Sequence, residues 1–274
     1  MPAHAEIDVR MKENYEFPYR FKLTKRTPVI VRVDGRAFHS FTKGFAKPFD
    51  TVLIKSMQDT AKYLCENVMG CKLAYVQSDE ISLLLVDYES LDSQPFFDNN
   101  LQKICSITAS MATLAFNKAF EKHVKNLDPA KVNNKLLKKY ESCIEKGGMF
   151  DSRCFNIPQD EVCNYFFSRQ IDASRNSVEM VGRAYFSHKE LHLKNGSMIQ
   201  DMLHEQHGVN WNDFPIEQKR GACIVKEYYY VDKDGNETVV LNENCTKRSR
   251  WIVDHEIPQF KGDNRQYIDR YVFY

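Results

Sequence analysis

The chain has 274 residues, 43% hydrophobic and 27% charged, a balance that excludes a disordered or fibrous protein and suits one large globular domain. Thirty-eight Lys and Arg against 37 Asp and Glu leave a formal charge of +1, so no polyanion-binding character belongs to the whole molecule and any anion site must be local. Eight cysteines (Cys65, Cys71, Cys105, Cys143, Cys154, Cys163, Cys223 and Cys245) include no CxxC pair, which argues against zinc and for free thiols in a reducing cytoplasm.

In chain order, the opening MPAHAEIDVRMKENYEF is charged and lacks the apolar run of a signal peptide, and no later run is long enough to span a bilayer. No membrane association is expected. PVIVRV, residues 28–33, is short and β-branched and predicts a buried strand ending at Asp34-Gly35. Leu53, Met57, Ala61, Leu64 and Val68 then recur at helical spacing, with Asp50 or Thr51 placed to cap the helix. KLAYV (72–76) and ISLLLVDY (81–88) predict a tight hairpin turning at Gln77-Ser78-Asp79-Glu80. Ile104, Ile107, Met111 and Leu114 mark a second helix, residues 122–148 predict a Lys- and Asn-rich surface excursion, and MFDSRCFNIP (149–158) predicts a fourth strand. Residues 160–207 are helical by pattern, and KEYYYVDKDGNETVVL (226–241) predicts a hairpin turning at Asp234-Gly235.

Strand, helix, hairpin, helix and strand in this order give an α+β fold, a ferredoxin-like βαββαβ antiparallel sheet with helices, plus a helical and β-hairpin extension. The division is a palm core over 15–160 and an extension over 161–274 within a single catalytic domain of 1–274. In that topology the end of the first strand and the hairpin turn share one edge, so Asp34 faces Asp79 and Glu80 across it. Singly, each acidic turn reads as solvated. Together the carboxylates suit a hard divalent cation, which takes oxygen ligands and suits phosphoryl transfer.

VRVDGRAFHSFTKGFAKPFD with AYVQSDE resembles the signature of the tRNA(His) guanylyltransferase family of reverse-direction polymerases, with DGR, FHxF, FAKPxD and QSDE in order over roughly residues 15–225. The resemblance implies a polymerase-like palm, two Mg²⁺ ions, ATP and GTP or other nucleoside triphosphates as substrates, tRNA as partner, and a homotetramer. By position it implies Asp34 and Asp79 as metal-binding carboxylates, Gly35 as backbone ligand and Glu80 as an adjacent catalytic acid. Arg32, Arg36, Ala37, Phe38, His39, Phe45, Ala46, Lys47, Asp50, Ser78 and Lys103 match nucleotide-binding positions. Without the motif, Asp50 is a helix cap, His39 a packed or surface histidine, and Lys47 and Lys103 solvated lysines.

FFSRQIDASRNSV carries an RQxD element, but Ser174-Arg175-Asn176-Ser177-Val178 stands where true tRNA(His) enzymes have a HINNLYN-type run. That departure resembles the guanylyltransferase-like branch and implies templated repair of 5′-truncated tRNA, the alternative being addition of a single 5′ G to tRNA(His). Arg153, Arg169, Arg175 and Asn176 are candidate RNA contacts, and the plain alternative for Arg153 and Arg169 is a helix-surface salt bridge. Lys194, Lys219 and the Lys247, Arg248, Arg250 cluster beside Trp251 are further basic residues, the last a candidate RNA backbone contact. Two competitors remain. A palm-type cyclic-nucleotide synthase shares the metal site but carries a glycine-rich acidic hairpin. An RNA-recognition domain shares the sheet but needs stacking aromatics on a central strand, which ISLLLV lacks.

Overall fold

The computed structural model describes residues 3–233, 236–238 and 245–273. In chain order the elements are α1 (Ala3–Met11), β1 (Val29–Gly35), α2 (Phe38–Phe41), α3 (Thr51–Asn67), β2 (Cys71–Gln77), β3 (Glu80–Leu85), α4 (Leu101–Lys125), α5 (Asn134–Lys146) and β4 (Phe150–Asn156). There follow α6 (Gln159–Tyr185), α7 (His188–Leu191), α8 (Gly196–His207), α9 (Ile216–Arg220), β5 (Ala222–Val231), β6 (Glu237–Thr238), β7 (Thr246–Asp254) and α10 (Gln266–Asp269). The sheet order is β4-β1-β3-β2-β5-β6, with β7 also pairing β5. β3 runs antiparallel between β1 and β2, as the split topology requires.

Alternation along β1 divides the core. Val29, Val31 and Val33 pack with Met57, Ala61 and Leu64 of α3 and Ile104, Phe116 and Phe120 of α4. Ile30, with Leu73, Tyr75 and Leu84, packs on the other face against Val162 and Phe166 of α6 and Phe260 and Ile268 of the C-terminal segment. β3 is buried along its whole length, so its central-strand face is not open to stack bases. A smaller cluster joins the second half of α6 to α8 through Val178, Val181, Ile199 and Leu203.

Three expectations change. In α4, Ile107 and Leu114 are exposed, and the buried stripe runs instead through Ile104, Thr108, Ala112 and Phe116. Small residues let the helix approach the sheet closely there, which shifts the stripe away from the larger apolar side chains. Residues 122–148 contain the amphipathic helix α5, whose Tyr140 and Cys143 are buried and whose Leu136, Leu137 and Ile144 pack on the core. The hairpin partner of β5 is chiefly β7, with β6 adding a short second pairing; the Asp234-Gly235 turn lies outside the described residues. The sheet itself runs on from β2 into the C-terminal segment, where Leu73 to Val76 pair with Val225 to Ala222 of β5. No helix of the described residues is long and apolar enough to cross a membrane.

Candidate active site

β1 ends where the β2–β3 hairpin turns, and the register sets Asp34 directly opposite Glu80 on one side and Asp151 of β4 on the other. The Gly35 amide donates to the Asp79 carbonyl at 3.0 Å, which ties the end of β1 to the hairpin. Only glycine fits that approach: a Cβ at Gly35 would lie 2.4 Å from the Phe38 ring and 2.9 Å from the Asp79 Cβ. Ser78 turns the hairpin at φ +49° and its hydroxyl donates to Asp79 Oδ1 at 2.9 Å. Thus Asp34, Asp79, Glu80 and Gly35 meet at one edge.

The edge carries more negative charge than its partners neutralise. Burial, then the charges of Glu80 and Asp151, push the Asp34 carboxyl above the ordinary aspartate range. Burial likewise raises Asp79, against hydrogen bonds from Ser78 and its own backbone that oppose the shift. Arg153, exposed on β4, bonds Asp151 at 2.8 Å and reaches Asp34 only at 4.0 Å. Glu80 is different, being buried and held bidentately by Arg169 of α6, with Nε and Nη2 each donating at 2.7 Å, while Nη1 donates to Asp172 at 2.7 Å. Arg169 is therefore committed to two carboxylates instead of facing solvent, and Glu80 is fixed instead of free.

Among the described residues no three Asp, Glu, His or Cys side chains form a ready cation cage. Two raised carboxylates beside a glycine backbone are nevertheless a donor set that suits a hard divalent cation with water completing its shell. Arg32, level with Ser82 and Arg153 across the strands, has its Nε buried with no hydrogen-bond partner among the described residues. An orphaned guanidinium donor beside the edge suits an anionic oxygen.

A slot with a cavity volume of about 70 Å³ opens beside the hairpin. Phe49, Leu53, Ile54, Ala173 and Met180 give it apolar walls, and Gln77, Ser78, Asn176 and Arg220 give it polar ones. It is an open groove and not an enclosed pocket, and its mixed apolar and polar lining suits the base and sugar of a nucleotide. The Arg220 Nε is also buried, with no hydrogen-bond partner among the described residues. Asp50 lines the slot and caps α3 through the Leu53 amide at 2.9 Å. Its other oxygen accepts from the Ala46 amide at 2.9 Å and from the Tyr140 hydroxyl at 2.6 Å, so α5 braces the 42–50 loop.

The remaining predicted residues are dispersed. Phe38 and Phe45 are buried in an aromatic cluster with Phe41, Phe116, Phe120 and Tyr140, beneath the loop and turned from solvent. Arg36, Ala37 and His39 are exposed around α2, with Ala37 at φ +56° and the Arg36 amide bonded to the Met149 carbonyl. Lys47 is exposed and lines a separate cleft with α6 and the α6–α8 connection. Lys103 stands in the first turn of α4, near the far end of β4, with its ammonium 5.9 Å from the Phe97 ring centre. Arg175 pairs with Asp172 at 3.0 Å and Asn176 is exposed.

Two basic groups have other occupations. Lys219 is buried, donates to the Asn212 carbonyl at 2.5 Å and has its pKa lowered by burial. Arg250 pairs with Glu227 at 2.6 Å and Glu237 at 2.5 Å and stacks over Tyr229, while Lys247 lies over Tyr228. That cluster satisfies itself along the β5–β7 ribbon. Phe49, Met180 and Arg220 were not among the sequence candidates, because each joins the slot from an element whose local pattern signals only packing.

The tRNAHis guanylyltransferase (Thg1) family matches residues 9–158. A bacterial tRNA(His) guanylyltransferase (Thg1)-like protein solved in complex with ATP is 46% identical, covers 97% of this chain and 99% of its own, and superposes with a TM-score of 0.79. The tRNA(His) guanylyltransferase of Debaryomyces hansenii is 28% identical over 256 residues, covering 87% of this chain and 89% of that protein. The tRNA(His) guanylyltransferase crystal structure from Saccharomyces cerevisiae, at 23% identity and a TM-score of 0.61, shares the fold.

Proposed function

The chain belongs to the tRNAHis guanylyltransferase family of nucleotidyltransferases, and from that premise we propose that it repairs 5′-truncated tRNA by templated addition of nucleotides in the 3′-to-5′ direction. The observation that carries the chemistry is the surplus of negative charge where Asp34, Asp79, Glu80 and Asp151 converge, next to a groove with apolar and polar walls. Asp34, Asp79 and the Gly35 backbone are the residues to hold two Mg²⁺ ions, which when bound neutralise charge developing at phosphorus.

The chain's own groups then position two displacements. In the first, an oxygen of the RNA 5′ phosphate attacks the α-phosphorus of ATP, forming the adenylylated end and releasing pyrophosphate. In the second, the 3′-hydroxyl of an incoming nucleoside triphosphate attacks the activated 5′ phosphorus and AMP leaves. One edge serves both, because each is an in-line displacement needing the same charge neutralisation. Arg32, with its unpaired donor, stands ready for a phosphate oxygen; Ser78 and Asn176 orient the nucleotide from the slot wall. Lys47 and Lys103 supply point charges for phosphate, and Arg153 and Arg175, both exposed, face RNA. Arg169 serves by fixing Glu80. Free thiols favour a cytoplasmic site of action, and the family resemblance favours a homotetramer.

Ser174-Arg175-Asn176-Ser177-Val178 favours repair over addition of a single G to tRNA(His), the activity for which several relatives are named. A repair polymerase draws its sequence choice from pairing with the opposite strand of the acceptor stem, and its phosphate contacts read no sequence. A 5′-truncated non-histidine tRNA should therefore be extended with higher kcat/KM than full-length tRNA(His), stopping when the stem is fully paired. Preference for full-length tRNA(His) would favour the single-G activity instead.

A further inference from the structure

We infer that the cleft between Lys47, the second half of α6 and the α6–α8 connection is a track for the phosphodiester backbone of RNA behind its 5′ end. The cleft has a volume of about 650 Å³ and is lined by Lys47, Arg183, His188, His192 and Lys194, with Glu179 as its acidic member. All five basic side chains belong to exposed residues. In a chain whose charges otherwise nearly cancel, Lys47, Arg183 and Lys194 against Glu179 leave a local excess of positive charge. Its floor is rigid: Phe186 and Ile199 are buried in the α6–α8 cluster, and Ser187 caps α7 with a reciprocal bond to Glu190. A Cβ at Gly182 would lie 2.8 Å from Ile199, so α6 and α8 approach too closely to spread.

Position and spacing choose the occupant. Asn176 lines the nucleotide slot, and Arg183 stands two helical turns further along α6, roughly 10 Å away at the rise of an α-helix. One triphosphate lying in the slot does not need cations spread that far along the helix and on into the next connection. A chain of phosphates leading away from the active edge does. Lys47 joins the two regions, since its neighbour Ala46 is tied to Asp50 at the slot. Glu179 bonds Arg183 at 2.8 Å and holds the guanidinium at the cleft wall, leaving its other donors for phosphate.

This track rests on the proposal that an RNA 5′ end reaches the carboxylate edge, and its test does not use turnover. Anisotropy of a 3′-labelled, 5′-truncated tRNA, without nucleotide, is measured over a range of KCl for the wild type, for Arg183→Ala with Lys194→Ala, and for the charge-keeping pair Arg183→Lys with Lys194→Arg. ATP binding to each protein is measured without RNA. The alanine pair should weaken RNA binding by about tenfold or more at low salt and reduce the slope of log Kd against log salt by about one to two. The charge-keeping pair should bind RNA like the wild type, and ATP affinity should be unchanged in both. An unchanged slope and Kd in the alanine pair overturns the track, as does loss of ATP affinity with RNA binding intact, which would assign the cleft to triphosphate. Equal loss in both pairs also overturns it, since charge would not be what the RNA meets. A wild type that binds RNA but extends no truncated tRNA defeats the repair reading and leaves the track standing on its slope.

Discussion

Ionising Asp34 at neutral pH sets a half-buried charge against Glu80 and Asp151, with Arg153 4.0 Å off and already bonded to Asp151. The carboxyl's raised pKa has a definite sign in stability. Between the ordinary aspartate value of 3.8 and the raised native value, the folded state binds more protons than the unfolded one, so stability falls as pH rises through that window and the deficit persists at pH 7. Asp34→Asn removes the charge without changing the shape. In EDTA at pH 7 the variant should melt higher than the wild type, while Mg²⁺ should raise the wild type's Tm and leave the variant's unmoved. A lower Tm for Asp34→Asn in EDTA would show that the edge is not strained by its charges. At Mg²⁺ concentrations well below saturation, Mg²⁺ binding by the wild type should weaken on acidification with a midpoint above 3.8, because Asp79 is raised as well in the metal-free protein and both carboxylates must be ionised to hold a cation.

Between elements, the pair of Arg169 on α6 and Glu80 on β3 locks the helix to the carboxylate edge, with side chains only 17% and 8% exposed. Hydrogen bonding to Glu80 holds the guanidinium pKa above its usual value. Removing one partner of such a pair leaves a buried charge alone, at about 3–5 kcal/mol, whereas replacing both with apolar groups is often neutral. Arg169→Met should therefore destabilise more than the double variant Arg169→Met with Glu80→Leu, as read from urea midpoints. A double variant as unstable as the single one would deny the buried-charge account. The pairing was not legible in the chain, because its partners are 89 residues apart and meet only once α6 lies across the sheet. β1 and the β2–β3 turn were legible for the opposite reason: β-branched runs and an acidic turn are local signals, and the split topology then places Asp34 beside Glu80. In α5 the core-packed residues are interleaved with lysines and glutamates, so its polarity hides an amphipathic helix whose Tyr140 reaches Asp50.

Across the whole molecule, the sheet passes from the palm into the C-terminal segment without a break. β5 covers the edge of β2, and Cys223, Ile224, Val225, Ile257, Phe260, Ile268 and Val272 are all buried. The sequence showed a hairpin near residue 230 but not that its first strand would extend the palm, since strand pairing at this separation leaves no local mark. Its apolar start, Ala222 to Val225, lies against β2, and β7 pairs along its other side from Cys223 to Val231. Burying these seven side chains at about 1.5–3 kcal/mol each contributes on the order of 10 kcal/mol before chain entropy, comparable to the whole net stability of a typical domain. A chain ending at Gly221 loses that burial and bares both the β2 edge and one side of Tyr75, which packs edge-on against Phe260. It should fail to unfold cooperatively in urea and should bind no ATP, although every carboxylate of the active edge is still present. A cooperative transition with wild-type ATP affinity in that truncated chain would show that the palm and slot fold without the extension, and the molecule would then be two units instead of one.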